Sequence, residues 1–122
     1  MHNSILIFSS QEDTQETIKS ILAPTFPLII VSDVDQALSA LKQKAVPVLA
    51  LVGTNLDDAA ENFTSMRSIS PALTIIAIGE IGTEAEAAEA VSHGATGYIM
   101  TPLRKDVIMT LAQKYAPQVT GK

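Results

Sequence analysis

Hydroxyl and carboxylate side chains are the groups in this chain most able to do chemistry, and both gather after short apolar runs. Ser9 and Ser10 follow Ile5-Leu6-Ile7-Phe8, with Glu12 and Asp13 just beyond. Thr54 and Asn55 follow Pro47-Val48-Leu49-Ala50-Leu51-Val52-Gly53, with Asp57 and Asp58 beyond, and Thr101 follows Gly97-Tyr98-Ile99-Met100. Carboxylates in two such loops could hold a hard divalent cation or offer a phosphoryl acceptor, because such cations take oxygen ligands. The simpler expectation is that Asp13 caps a helix and Asp57-Asp58 is a solvated turn, so no metal site is expected. The hydroxyl set (Ser9, Ser10, Thr54, Asn55 and Thr101) points instead to a neutral, hydroxyl-rich crevice that could admit a small ligand or simply close over water.

Other chemistries lack their residues. The sequence has no cysteine, so thiolate metal sites and disulfides are excluded. Its histidines, His2 and His93, stand alone and form no ligand or base constellation. There is no glycine-rich phosphate loop and no dinucleotide fingerprint. No nucleophile and base can be paired, so no enzyme activity and no cofactor are expected. Tryptophan is absent and there are two tyrosines, which leaves a flavin without its common stacking partners.

The elements that must position these groups are marked by periodicity. Five apolar runs, Ile5–Phe8, Leu28–Val31, Val48–Val52, Thr74–Ile78 and Gly97–Met100, alternate with five helical patterns. Continuous rather than alternating runs predict strands covered on both faces, and strand–helix alternation predicts a parallel sheet with right-handed crossovers. Ser10 or Asp13 is expected to cap the first helix, and Ser32 with Asp35 resembles a capping box for the second. Val34, Ala37, Leu38 and Leu41 make one face of that second helix, and Phe63, Met66 and Ile69 make the stripe of the third. Ser70-Pro71 ends the third, because a residue preceding proline disfavours the helical region. The fourth helix, about 84–93, is alanine-rich and stops at Gly94, a candidate left-handed cap. The fifth, about 104–115, is expected to bury Val107, Ile108, Leu111, Ala112 and Tyr115.

A chain of 122 residues with 47% hydrophobic content suits one compact domain, assigned to residues 1–116, with 117–122 as a tail or the start of a linker. No apolar run approaches the roughly 18 residues of a membrane span, so no membrane partner is expected and a cytoplasmic location fits. Eight basic against thirteen acidic residues give a net charge of −5 with no basic stripe, so direct nucleic-acid binding is not expected.

The strand segments and the motif Gly94-Ala95-Thr96-Gly97-Tyr98-Ile99-Met100-Thr101-Pro102 resemble the response-regulator receiver (CheY-like) family over about residues 4–115. The resemblance implies a flavodoxin-like α/β fold, (βα)5, with a single doubly wound five-stranded parallel sheet in strand order 2-1-3-4-5. It also implies where phosphorylation chemistry would sit. In that family the first strand ends in two acids that hold Mg²⁺ and the third in the phosphorylated Asp. The fourth ends in Thr or Ser, and the fifth is followed by Lys-Pro. Here those positions are Ser9, Ser10, Gly53, Gly79 and Thr101. Gly53 has no side chain to phosphorylate, and neutral serines are poor Mg²⁺ ligands. A degenerate, phosphorylation-independent member, a pseudo-receiver, is therefore expected.

The same resemblance places signalling on the surface formed by residues 84–115. Glu84, Glu86 and Glu89 make the fourth helix acidic, whereas Arg104 and Lys105 open the fifth helix against its dipole. Acidic and basic helices could face each other across a two-fold axis, so a homodimer or a protein partner is expected here. Tyr98 occupies the family's aromatic switch position. With glycine at 79 its hydroxyl-coupled switching is expected to be lost, leaving the ring either permanently inward or at the strand edge with its OH in water. Met109 is expected to add apolar surface to this face. An output domain following Pro117 would complete a longer bacterial signalling protein.

Overall fold

A computed structural model describes residues 4–42, 47–54, 59–80, 82 and 84–116. Among the described residues the elements alternate as β1 (Ile5–Phe8), α1 (Glu12–Leu22), β2 (Leu28–Val31), α2 (Val34–Leu41), β3 (Leu49–Gly53), α3 (Ala59–Ile69), β4 (Thr74–Gly79), α4 (Glu84–Ser92), β5 (Gly97–Met100) and α5 (Lys105–Tyr115). The strands form one sheet in the order β2-β1-β3-β4-β5, and every pairing is parallel. Pairs such as Phe8↔Val52, Gly53↔Ile78 and Gly79↔Met100 bring the carboxyl ends of the four inner and right-hand strands to one edge. The chain leaves β1 toward β2 and returns to β3 on β1's other side. That reversal opens a crevice at the carboxyl edge, where open α/β sheets bind ligands.

The two-residue period of the strands divides the core. Leu6, Phe8, Ala50, Val52, Ile75 and Ala77 face α2, α3 and α4, where Ala37, Leu41, Phe63, Met66 and Ala90 cover them. Ile5, Ile7, Leu49, Leu51, Ile76 and Ile78 face α1 and α5, meeting Ile18, Leu22, Ile108 and Ala112. All four residues of β1 are buried, which explains why its sequence is continuously apolar. In β2, at the sheet edge, Ile30 remains exposed.

Helix starts depart from expectation in detail. Neither Ser10 nor Asp13 caps α1. The N-cap is Gln11, without a side-chain cap bond, and Asp13 lies inside the first turn beside Glu12, where both charges favour the helix dipole. The backbone N–H of Gln11 instead donates to Ser9 Oγ at 3.1 Å. The capping box of α2 is displaced by one residue: Asp33 Oδ1 accepts from Gln36 N at 2.9 Å, and Gln36 Oε1 accepts from Ser32 N at 3.2 Å. Helix α3 ends at Ile69, before Ser70-Pro71. Gly94, at φ +121°, turns the chain out of α4.

In α5, two expectations are reversed. Val107 is exposed, whereas Met109 is partly buried against the Ile108 and Ala112 core. The helical period explains this: Met109 lies three residues before Ala112, on the same flank, while Val107 turns away from it. Met109 therefore contributes packing, and Val107 takes its place at the surface.

Candidate functional site

The carboxyl edge of the sheet holds a crevice of about 300 Å³. Ser9, Gly53, Gly79 and Thr101 all line it. Ser10 does not; its side chain is exposed. The sheet assembles these positions because each ends or directly follows an inner or neighbouring strand. Ser9 follows β1, Gly53 ends β3, Gly79 ends β4 and Thr101 follows β5. Backbone bonds extend the ladder across the crest: Ser9 N donates to Val31 O, Thr54 N to Ile78 O and Thr101 N to Gly79 O at 2.8 Å. The Thr101–Pro102 peptide is cis.

The crevice is acidic, contrary to the neutral pocket expected from its hydroxyls. Glu80 and Glu86 line it, and the other described lining residues carry no charge. Glu80 directly follows β4 and Glu86 lies in the first turn of α4; the sequence associates both with the acidic fourth helix rather than with the crevice. Gln11 and Thr14 of the α1 start also line the crevice and were missed. Gln11 Nε2 donates to Glu80 Oε1 at 3.2 Å, joining loops 69 positions apart, and Thr14 Oγ1 donates to Gln11 Oε1 at 3.3 Å. Ser9 is almost fully buried (1% exposed), with its Oγ engaged by Gln11 N. Gln15 Nε2 donates to the Ser9 carbonyl, holding the turn after β1. Thr54 Oγ1 donates to Ile78 O at 3.3 Å and so turns back onto the sheet.

Asn55, Asp57, Asp58, His2 and residues 117–122 lie outside the described residues. Glu12 and Asp13 are exposed on α1. Among the described residues no group of three or more His, Cys, Asp or Glu side chains could hold a metal ion.

The expected signalling residues occupy the adjoining surface. Glu84, Glu86, Glu89, Arg104 and Lys105 are exposed. Tyr98 is 47% exposed, so its ring stands outward and the permanently inward arrangement is absent. Val91, Tyr98 and Val107 each place one large exposed hydrophobic side chain, on α4, β5 and α5 respectively. Arg104 Nη2 pairs with Asp106 Oδ2 at 3.2 Å, with both side chains largely exposed, so part of the cationic character expected of α5 is offset within the helix.

The fold has many solved counterparts. The receiver domain of NtrX from Brucella abortus superposes with a TM-score of 0.81 at 23% identity, covering 91% of this chain and 96% of that one. A CheY-like receiver domain protein from Methanospirillum hungatei gives 0.80 at 20% identity, with 94% of each chain covered. A putative response regulator from Chloroflexus aurantiacus gives 0.84 at 14% identity, covering 94% of this chain and 98% of that one. This chain thus has the receiver-domain, CheY-like flavodoxin fold. It spans 27% of the length of the longer NtrX structure, to which it aligns with a TM-score of 0.83. No protein-family model and no curated protein matches the chain.

Proposed function

We propose that this chain is a non-phosphorylatable, receiver-like regulatory domain of a bacterial signal-transduction protein, acting in the cytoplasm through protein contacts rather than by catalysis. The observation that carries the reading is the make-up of the crevice. The positions that would hold an acceptor carboxylate, a metal ligand, a hydroxyl switch and a cation are Gly53, Ser9, Gly79 and Thr101, gathered beside Glu80 and Glu86. Phosphoryl transfer requires the charge on the phosphoryl oxygens to be offset by metal or cationic groups. Among the described lining residues, Glu80 and Glu86 bring two carboxylates and no cation, which does the opposite. The receiver fold and the attachment of the NtrX receiver to a longer chain support a domain that regulates an output region beyond residue 116.

Signalling would pass through the α4–β5–α5 surface, where exposed Val91, Tyr98 and Val107 lie among Glu84, Glu89 and Lys105. An apolar centre with a charged rim is the anatomy of a protein contact. Incubation with acetyl phosphate and Mg²⁺, read by intact mass, tests the central point. The expected result is an unchanged mass; a gain of one phosphoryl group would overturn the reading.

A further inference from the structure

We propose that β2, an outer strand of the sheet, is an interface at which a second copy of this chain adds its own β2 antiparallel about a two-fold axis, joining two five-stranded sheets into one. This contact lies apart from the crevice and from the α4–β5–α5 surface. β2 pairs on one side only, with β1. Ile5 N donates to Pro27 O and Ser9 N to Val31 O, so alternate residues from Pro27 to Val31 point their peptide groups at β1. Leu28 and Ile30 point theirs away from the sheet. Among the described residues nothing takes those outward N–H and C=O groups. The next outward N–H, on Ser32, donates to Gln36 Oε1 at 3.2 Å. The open strip thus runs from Leu28 to Ile30, and a side chain of the same molecule closes its carboxyl end.

An unpaired strand edge is a template for another strand, and proteins commonly blunt it with a charged residue or a proline. Leu28-Ile29-Ile30-Val31 contains neither. Ile29, Ile30 and Val31 are β-branched, a type that favours strand pairing. Ile30 is 37% exposed. Among the described residues it is the one large hydrophobic side chain so exposed outside the α4–β5–α5 surface. Backbone groups and side chain are therefore both uncovered at the same position.

Symmetry and charge select a second copy as the occupant. A two-fold contact needs a self-complementary patch, and this uncharged strip is one. With the axis at Ile30, that residue meets its own copy as a doubly hydrogen-bonded pair. The Leu28 N–H of each copy reaches the Ser32 carbonyl of the other. An axis normal to the sheet keeps each face on its own side. Ile29 of one copy then falls opposite Val31 of the other on the α2 face, and the two Ile30 side chains cover one another on the α1 face. The same register sets Asp33 opposite Pro27, so like charges do not meet. The contact is small for a specific interface, so association is expected to be reversible and half-formed at roughly 0.1–1 mM.

The test is sedimentation of the chain at increasing concentration, together with hydrogen exchange of its amides. The expected result is a monomer–dimer equilibrium, with protection of the Leu28 and Ile30 amides that grows as dimer forms. Each copy carries a net charge of −5 and the strip carries none, so association should tighten at high salt. A contact between the acidic α4 and the basic start of α5 would loosen instead. Ile30→Lys, an exposed change that sets two ammonium groups face to face at the axis, should abolish the dimer while leaving the thermal midpoint in place. Val107→Asp should leave this dimer intact. Association that leaves the Ile30 amide unprotected, or that survives Ile30→Lys undiminished, would overturn the proposal. A monomer at about 1 mM in high salt would also overturn it, leaving the strip to a strand of a different protein.

Discussion

At the scale of single residues, the proposed loss of phosphoryl transfer rests on Ser9, Gly53, Gly79 and Thr101, which line the crevice at the carboxyl edge of the sheet. Restoring one group should not restore the reaction. Gly53→Asp is expected to remain unlabelled by acetyl phosphate, because a neighbouring carboxylate pair for Mg²⁺ and a cation at 101 are still lacking; labelling of that single variant would show that the flanking acids suffice. These positions were legible in the sequence because each adjoins an apolar run whose end is easy to place. Arg67 was not legible. Its Nη1 donates to the carbonyls of Ser70, Pro71 and Leu73, and its Nε and Nη2 reach Gly94 and Thr96. Those partners lie on a turn and on a loop 27 positions away, so no local pattern announces the site. The guanidinium fork suits several diverging carbonyls at once, whereas an ammonium cannot match them. Arg67→Ala should lower unfolding free energy in urea by about 2 kcal/mol, and Arg67→Lys should recover little of it. Full recovery by lysine would mean that charge alone matters there.

At the scale of elements, apolar runs placed all five strands, and helical periodicity the fourth and fifth helices, to within a residue of their observed bounds. The caps were less legible. Whether Ser32 or Asp33 begins α2 depends on a reciprocal bond with Gln36, and serine and aspartate are equally good caps on paper. The acidity of the crevice was missed for a related reason. Glu86 joins the crevice from the first turn of α4, an approach between elements that a linear pattern does not encode. Helix α4 carries two elemental predictions. It buries only Ala87 and Ala90 fully, so it should have the least protected helical amides in hydrogen exchange; protection equal to that of α1, which buries Ile18 and Leu22, would contradict this. Its end depends on Gly94, where an added Cβ would sit 3.2 Å from Arg67 Cβ at φ +121°. Gly94→Ala should therefore cost upwards of about 1 kcal/mol, seen as a lowered denaturation midpoint.

At the scale of the whole molecule, a receiver-type sheet positions a crevice at its carboxyl edge, and α4, which contributes Glu86 to that crevice, also carries exposed Val91 on the proposed contact surface. The fold carries no activity by itself; the residues at the crevice decide the chemistry. A homodimer through the α4–β5–α5 surface predicts a sedimentation coefficient that rises with concentration and falls when Val107, 37% exposed at its centre, is replaced by Asp. A monomer at hundreds of micromolar would instead leave that surface to a different protein.

The proposed loss of phosphoryl chemistry is tested by a two-dimensional amide NMR spectrum with and without beryllofluoride and Mg²⁺, a phosphoryl mimic that needs an acceptor carboxylate. A domain without an acceptor carboxylate should give superimposable spectra. Saturable shifts at residues 9–13, 53–58 and 101 would contradict it and return the domain to phosphoryl transfer.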